Sequence, residues 1–494
     1  MEEDIFELLE ENNKLMLQLI DIISESHRWY SVHELGMRLN VVERTIHRYI
    51  YQLKEKIDEY NKTKEYPIIL RYEKFKGIQL DMVVNSNYTE FKMYVFDLDG
   101  RIKILKKIML EDSFSVRKYA IKNFKSENSI RESLKKIKNF LNTYDICLSR
   151  GEFQFIGKEK NIRGMIFILS WVLFKGEKWP FGAIDFKKAH QTLDLFSEAF
   201  NLNLSEIQRK QMSYILAINL IRVRKNHIIE FEPEWQNYVD LQSVLKKVPF
   251  SNYITESYQI SEASELYFYI LLLQMKTKFY ESKNLRYQIF TYHKKCQSDI
   301  YLATNYFINK FSETFFPIPY RAQNHFFVTS FCAHLFCKVF NQMPVDLDGY
   351  HVLNEPEYNF PNLKQKLETF IDELYRETKN DLFLDKEFLL QKYMLLFSSI
   401  KPLNLYEPVI KIYLVTDFPS IIKESIKEKI SDYFSYEFNI AFTNEQTKQR
   451  PDIILTNIPN LFEIQRFSIT QSYTFDFPIK ERDLVEIRRR LSAI

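Results

Sequence analysis

Residues 31–53 read SVHELGMRLNVVERTIHRYIYQL, and the stretch opening at residue 115 reads SVRKYAIKNFKSENSIRESLKKI. An offset of 84 residues lays Ser31-Val32 on Ser115-Val116, and Ile46, Ile50, Leu53 and Ile57 on Ile130, Leu134, Ile137 and Leu141. Both sets recur at i, i+4, i+7 and i+11, the buried stripe of one amphipathic helix. A shorter helix precedes each, over Ser31–Leu39 and Ser115–Asn123, with a serine placed to cap its first turn. A third is expected before that, roughly over Asn13–His27 and Gly100–Glu111. Behind each long helix come two short alternating apolar runs split by a glycine: Gly77 in IILRYEKFKGIQL (68–80) and Gly151 in ICLSRGEFQFIG (146–157). These predict β-hairpins.

Three helices followed by a hairpin, twice, is the order of a winged helix-turn-helix domain, whose second turn-motif helix enters the DNA major groove. With the apolar stripe turned inward, 100° per residue puts Arg44, Arg48, Tyr51 and Glu55 near the opposite face, flanked by Thr45, His47 and Gln52. Arginine suits bidentate contact with guanine and glutamine contact with adenine, while threonine or tyrosine suits a phosphate or a thymine methyl. In the second copy Asn128, Ser129, Arg131, Lys135 and Lys138 lie outside the inward stripe. Lys74 and Lys76 in the first wing and Arg150 in the second are placed for the DNA backbone. Charge divides accordingly: residues 1–100 hold 13 Lys/Arg against 19 Asp/Glu, whereas residues 101–163 hold 16 against 7. Such a basic stripe suits a polyanion, and the acidic first dozen residues are read as outside that surface.

At 494 residues the chain exceeds one domain, and with 46% hydrophobic residues it can bury several cores. Nine glycines and 15 prolines against 42 Phe and 31 Tyr exclude collagen-like and low-complexity chains. Cys147, Cys296, Cys332 and Cys337 show no CxxC spacing, which argues against a zinc ribbon or disulfide framework and fits a reducing compartment. The start, MEEDIFELLEENN, is acidic where a signal peptide is basic, and the longest apolar run, Met165–Phe174, falls short of the ~18 residues of a membrane span. A cytoplasmic protein with no membrane contact is expected.

From Gly164 to Pro402 helix follows helix, with a break near Glu281–Tyr287 that separates two bundles of about five helices each. No Walker A, GxSxG, HExxH or Gly-rich dinucleotide loop interrupts them, so neither catalysis nor a cofactor is expected. His334, in FCAHLFCKVF, reads as a packed core histidine; Cys337 beside it makes no metal site. His227, in IRVRKNHIIEF, ends a helix among Arg222, Arg224 and Lys225. It reads either as a phosphoryl acceptor in basic surroundings or as a cation favoured by the helix C-terminus. After Pro402 the pattern turns to strands (411–417, 438–443, 451–457) alternating with helices (420–434 and the C-terminus), which predicts a small parallel sheet. The loop Thr416–Ser420 opens a helix, yet association is the favoured role of this end.

Taken together, SVHELGMRLNVVERTIHRYIYQL, IRVRKNHIIEF and the order of segments resemble the Mga/AtxA family of virulence regulators of Gram-positive bacteria, over essentially the whole chain. The resemblance implies a mainly α, multidomain chain. Its parts would be winged helix-turn-helix domains at 1–85 and 86–163, phosphotransferase-system regulatory domains (PRDs) at 164–283 and 284–402, and a small α/β domain similar to enzyme IIB at 403–494. It also implies a transcription regulator that dimerises, binds double-stranded promoter DNA with low sequence specificity, and is phosphorylated through the phosphocarrier protein HPr. The histidines carried over are His190 and His227 in the first PRD, and His325 and His334 in the second. There are departures from the pattern. The helix YILAINLIR (214–222) holds no histidine, and Thr416-Asp417 stands where an enzyme IIB carries its cysteine, which points to a fold kept for association. The rival readings are a phosphoryl carrier of sugar uptake and a PRD-containing RNA-binding antiterminator.

Overall fold

The computed structural model describes residues 2–82, 88–111, 114–247, 263–341, 343, 360–443, 450–458 and 471–494. The domain boundary expected at residue 85 lies outside them. The chain forms two compact units, Met1–Cys296 with Val345–Gly349, and Gln297–Pro344 with Tyr350–Ile494.

The first unit opens with helices α1 (Glu2–Leu8), α2 (Glu11–Ser24), α3 (Val32–Leu39) and α4 (Glu43–Asn61), then the hairpin β1 (Ile68–Glu73) and β2 (Gly77–Met82). Ser31 Oγ accepts the Glu34 amide at 3.1 Å and starts α3, and Asn40, left-handed at φ 52°, ends it. Ile46, Ile50, Leu53 and Ile57 are each at most 1% exposed, so the stripe read from the sequence is the core of this unit. The hairpin is antiparallel from Ile68↔Met82 to Glu73↔Gly77.

Gly77 is needed where the wing crosses the chain ahead of α3. Tyr30 and Ile78 exchange both backbone hydrogen bonds, at 2.8 and 2.9 Å. Gly77 has φ +98°, and a Cβ there would lie 1.9 Å from the Tyr30 carbonyl oxygen. Gly151 in the second wing has φ +88° with nothing within 4 Å of its Cβ position. Gly151→Ala is therefore expected to cost only the left-handed backbone strain, about 1–2 kcal/mol. Gly77→Ala adds a backbone clash and is expected to cost about 3 kcal/mol or more. Urea midpoints of the two variants check this, and equal losses would remove the crossing as the cause.

The second copy follows as α5 (Tyr88–Leu98), α6 (Gly100–Leu110), α7 (Val116–Lys122), α8 (Glu127–Asn142), β3 (Cys147–Leu148) and β4 (Phe155–Ile156). Ser115 Oγ accepts the Lys118 amide at 3.4 Å, the same cap as Ser31, and Ile130, Leu134, Ile137 and Leu141 are at most 2% exposed. The offset of 84 extends to the turn, where Phe124 falls on Asn40 and shares its left-handed backbone at φ 51°. This wing is shorter than the first. Phe153 is left-handed at φ 55° and the Glu152 carbonyl accepts the Phe114 amide at 2.9 Å, so the strands diverge beyond the Ser149 amide's 2.8 Å bond to the Gln154 carbonyl.

The two copies are pinned by Asp99, which is fully buried. Its carboxylate caps α6 through the Arg101 and Ile102 amides and accepts from the Glu10 amide at 2.9 Å and Asn13 Nδ2 at 2.8 Å. Arg101 in turn donates to the carbonyls of Leu8 and Leu9. The acidic helix α1 packs on α8, so it belongs with the second copy rather than with the helix-turn-helix that follows it in sequence.

Three residues after β4 the chain enters the first helical bundle, α9 (Glu159–Phe174), α10 (Phe186–Phe200), α11 (Glu206–Arg224), α12 (Leu241–Lys247) and α13 (Ala263–Gln274); α14 (Lys283–Lys295) completes the unit. An ion network crosses it. Arg163 of α9 donates to both carboxylate oxygens of Glu265 in α13 at 2.5 and 2.9 Å, to Glu159 at 2.9 Å and to the His227 carbonyl at 2.8 Å. Glu159 accepts in turn from Arg222 at 2.7 and 2.8 Å, and the Ile229 amide reaches Glu265 at 2.8 Å.

The second unit holds α15 (Asp299–Thr314), α16 (Gln323–Phe340), α17 (Pro361–Thr378) and α18 (Lys386–Ser398) around an aromatic core that includes Phe307, Phe311, Phe370 and Phe397. Beyond them the expected parallel sheet is present, with order β6-β5-β7-β8 over β5 (Ile410–Val415), β6 (Ile440–Thr443), β7 (Ile453–Thr456) and β8 (Ser472–Thr474). Helices α19 (Ser420–Tyr433) and α20 (Glu481–Leu491) contribute Ile426, Ile430, Leu484 and Ile487 to its core. Among the described residues no helix is long and apolar enough to cross a membrane.

Candidate nucleic-acid interface and histidine sites

Helix α4 places its outward residues by the same periodicity that buries Ile46 and Leu53. Arg44, Arg48 and Tyr51 are exposed, and Thr45, His47 and Gln52 are partly so. Neither Arg44 nor Arg48 has an ion-pair partner among the described residues, although the Arg48 guanidinium lies 5.1 Å from the centre of the Tyr49 ring. The wing supports this face. Tyr72 of β1 stands with its hydroxyl 2.8 Å from His47 Nδ1 and its ring edge-on to Tyr51, so helix and wing present one surface. Lys74 and Lys76 are at the wing tip; Lys76 pairs with Glu73 at 2.7 Å and lies 5.4 Å from the Trp29 ring.

In the second copy Asn128, Ser129, Arg131 and Lys135 are exposed on α8, and Arg150 is exposed in the wing. Arg131 is tethered to Glu127 at 3.4 Å, and Lys138 is partly covered, 5.3 Å from the Phe153 ring. The sequence reading missed three aromatic side chains here. Tyr72 links helix to wing, Phe75 is 96% exposed at the first wing tip, and Phe124 is 99% exposed in the second turn. Phe75 was available as a signal, since KFKG sets an aromatic between two lysines in a turn. Phe124 was available only through its match to Asn40. Exposed rings flanked by lysines are suited to wedge against bases or to cover sugar and methyl groups.

The four carried-over histidines occupy different environments. His190 of α10 meets Ser213 Oγ at 2.9 Å through Nδ1 and packs on Phe186, while its Nε2 is enclosed without a partner. Burial lowers its pKa from the ordinary value. His227 follows the end of α11, and burial first, then the neighbouring Arg222 guanidinium, lowers its pKa as well. His325 is exposed in the first turn of α16.

His334 is fully buried. The Thr304 hydroxyl donates to the Ile300 carbonyl, so the Nδ1–H of His334 donates to Thr304 Oγ1 at 2.8 Å and Nε2 accepts from the Tyr393 hydroxyl at 2.8 Å. Either nitrogen must give up a bond before it can take a phosphoryl group. Burial pushes this imidazole down to about 3 from 6.5. Below pH 6.5 the unfolded chain therefore holds a proton that the folded one does not, and folding loses stability as pH falls from 6.5 toward about 3. The expected slope is about 1.4 kcal/mol per pH unit. A His334→Gln variant should unfold with a pH dependence shallower by about one proton over that window; parallel pH profiles for the two proteins would refute a neutral buried His334.

Several known proteins are similar to this chain. Residues 84–169, which run from α5 into α9, match the family described as the Mga helix-turn-helix domain. The chain is 21% identical over 317 residues to the capsule synthesis positive regulator AcpB of Bacillus anthracis, covering 62% of each chain. It is 20% identical over 308 residues to the capsule synthesis positive regulator AcpA of the same organism, covering 61% of this chain and 62% of the other. It is 18% identical over 224 residues to the anthrax toxin expression trans-acting positive regulator of Bacillus anthracis, covering 45% of each. The chain thus spans about 62% of the length of the two capsule regulators it matches. With the Mga helix-turn-helix domain matched over the second helix-turn-helix and named positive regulators among its relatives, the chain is similar to regulators of the Mga/AtxA family.

Proposed function

We propose that the protein is a transcription regulator that binds duplex promoter DNA through α4 and its wing, assisted by the basic second copy. The observation that carries this reading is the outward face of α4, where Arg44 and Arg48 stand exposed and without an ion-pair partner among the described residues, beside a wing braced by Tyr72. Arg44, Thr45, His47, Arg48, Tyr51 and Gln52 read base edges, and Lys74, Lys76, Lys135, Lys138 and Arg150 engage phosphates, with Asn128, Ser129 and Arg131 at the second groove. The relatives' names, as positive regulators, favour activation.

The two helical bundles act as PRDs, and the end domain is an enzyme IIB-like fold used for dimerisation. HPr or a related carrier phosphorylates the histidines. His325 is the most accessible of the four, and a phosphoryl group there would sit in the first turn of an 18-residue helix, where the dipole favours negative charge. His227 is the candidate in the first bundle, with Arg222 beside it.

The reading is tested with duplex-DNA binding isotherms of the intact protein at two salt concentrations, next to a hairpin RNA. Salt-sensitive binding of duplex over RNA is expected. Indifference to duplex DNA at low salt would end the reading, and preference for the RNA would revive the antiterminator alternative.

A further inference from the structure

The first wing holds a single aromatic side chain out from the body of the protein. The β1–β2 register closes at Glu73↔Gly77, so Lys74, Phe75 and Lys76 make the turn. The strands behind that turn are braced on two sides. Ile78 exchanges backbone hydrogen bonds with Tyr30, and Tyr72 sets its hydroxyl 2.8 Å from Nδ1 of His47 in α4. At the end of this hairpin Phe75 is 96% exposed. Lys74 Nζ lies 5.9 Å from the centre of its ring, while Lys76 turns back toward Glu73 and Trp29.

The second wing shows that a hairpin aromatic can fold back instead. Phe153 there packs edge-on to Phe114 at 5.9 Å and lies beside the Lys138 ammonium. A phenyl ring left in water forfeits the gain that such packing brings. Phe75 is flanked by lysines, so it is a single apolar point rather than the broad apolar patch of a protein interface. Its place relative to α4 is also set. The Tyr72 ring is edge-on to Tyr51 on the exposed face of that helix, and Phe75 is three residues farther along the chain. At strand rise that is about 10 Å, comparable with the step from a major groove about 12 Å wide to the minor groove beside it.

We propose that Phe75 is a wedge that enters the minor groove and bends the duplex, an inference that rests on the reading of α4 as the helix in the major groove. Lys74 and Lys76 meet the phosphates on the two rims, and the ring presses between adjacent base pairs. Unstacking a base step costs free energy, which burial of the ring and the closer wrap of bent DNA offset. A TA step unstacks at the lowest cost, so the wedge favours duplexes that carry one. Because the ring bears no charge, its contribution is independent of salt, unlike that of the lysines beside it.

The test uses the full chain and a duplex of about 30 base pairs with central TA steps, labelled at its two ends with a fluorescent donor and acceptor. Energy transfer reads the bend and anisotropy reads the affinity. The wild-type complex is expected to bend the duplex by at least about 20°. Phe75→Ala should lose most of that bend and bind at least about fivefold more weakly, with an unchanged slope of log affinity against log salt. Phe75→Leu, which keeps an apolar wedge, should retain most of the bend. Both variants keep the fold, since the side chain is exposed, and equal urea midpoints confirm it. A straight duplex in the wild-type complex, or a Phe75→Ala complex as bent as the wild type's, overturns the wedge and leaves the DNA reading of α4 standing. A wild-type protein that ignores the duplex at low salt overturns both.

Discussion

Arg44→Ala combined with Arg48→Ala is expected to weaken duplex-DNA binding by roughly thirtyfold to a few thousandfold, the equivalent of about 2–5 kcal/mol for two arginine contacts. Folding should be unaffected, because both side chains are exposed and neither supports an ion pair among the described residues. The way in which affinity falls separates two roles. If the arginines reach phosphates, the slope of log affinity against log salt should shrink by about 0.9 for each phosphate no longer neutralised. If they reach guanine edges, the slope should hold while discrimination between promoter and unrelated duplex collapses. Isotherms at several salt concentrations on both duplexes give the answer. Wild-type affinity in the folded double variant would move the DNA-reading surface away from α4, and Lys135 with Arg131 on α8 would be the next to change.

Arg163→Met should destabilise the first bundle by about 3–5 kcal/mol, because it leaves the Glu265 carboxylate buried without its partner. The effect is large for three reasons visible around the pair. Both side chains are at most 2% exposed, the guanidinium is shared among Glu265, Glu159 and Asn219, and it holds the His227 carbonyl. Pairing Arg163→Met with Glu265→Leu removes both charges and should recover part of the loss. Trp171, Trp179 and Trp235 all lie in this bundle and report its unfolding by fluorescence in urea. A single variant that unfolds at the wild-type midpoint would mean that the network contributes nothing.

Much of the outward face of α4 and α8 was legible in the sequence. The inward stripes came from periodicity, and the opposite faces followed from the helical angle. What could not be read was the set of partners. Tyr72 lies 25 residues from the His47 it braces, and nothing local marks it. The histidines divided in the same way. His334 was recognisable as a core residue from its apolar helix, whereas its two hydrogen bonds, from residues 30 and 59 positions away, could not be anticipated.

Several features that rest on contacts within a few residues were legible in the sequence: the serine caps at Ser31 and Ser115, the repeated stripes, the glycine turns of the wings and the β-α-β order of the end domain. Such features depend on backbone geometry and side-chain period, which are local properties. Contacts distant in sequence came from the fold: α1 leaves its neighbour to pack on α8, Asp99 pins the two copies, Arg163 finds Glu265 across 102 residues, and α11, α6 and the second wing enclose a cavity. Those choices follow from which buried polar groups can be satisfied together once the apolar faces have packed, and that matching has no period along the chain.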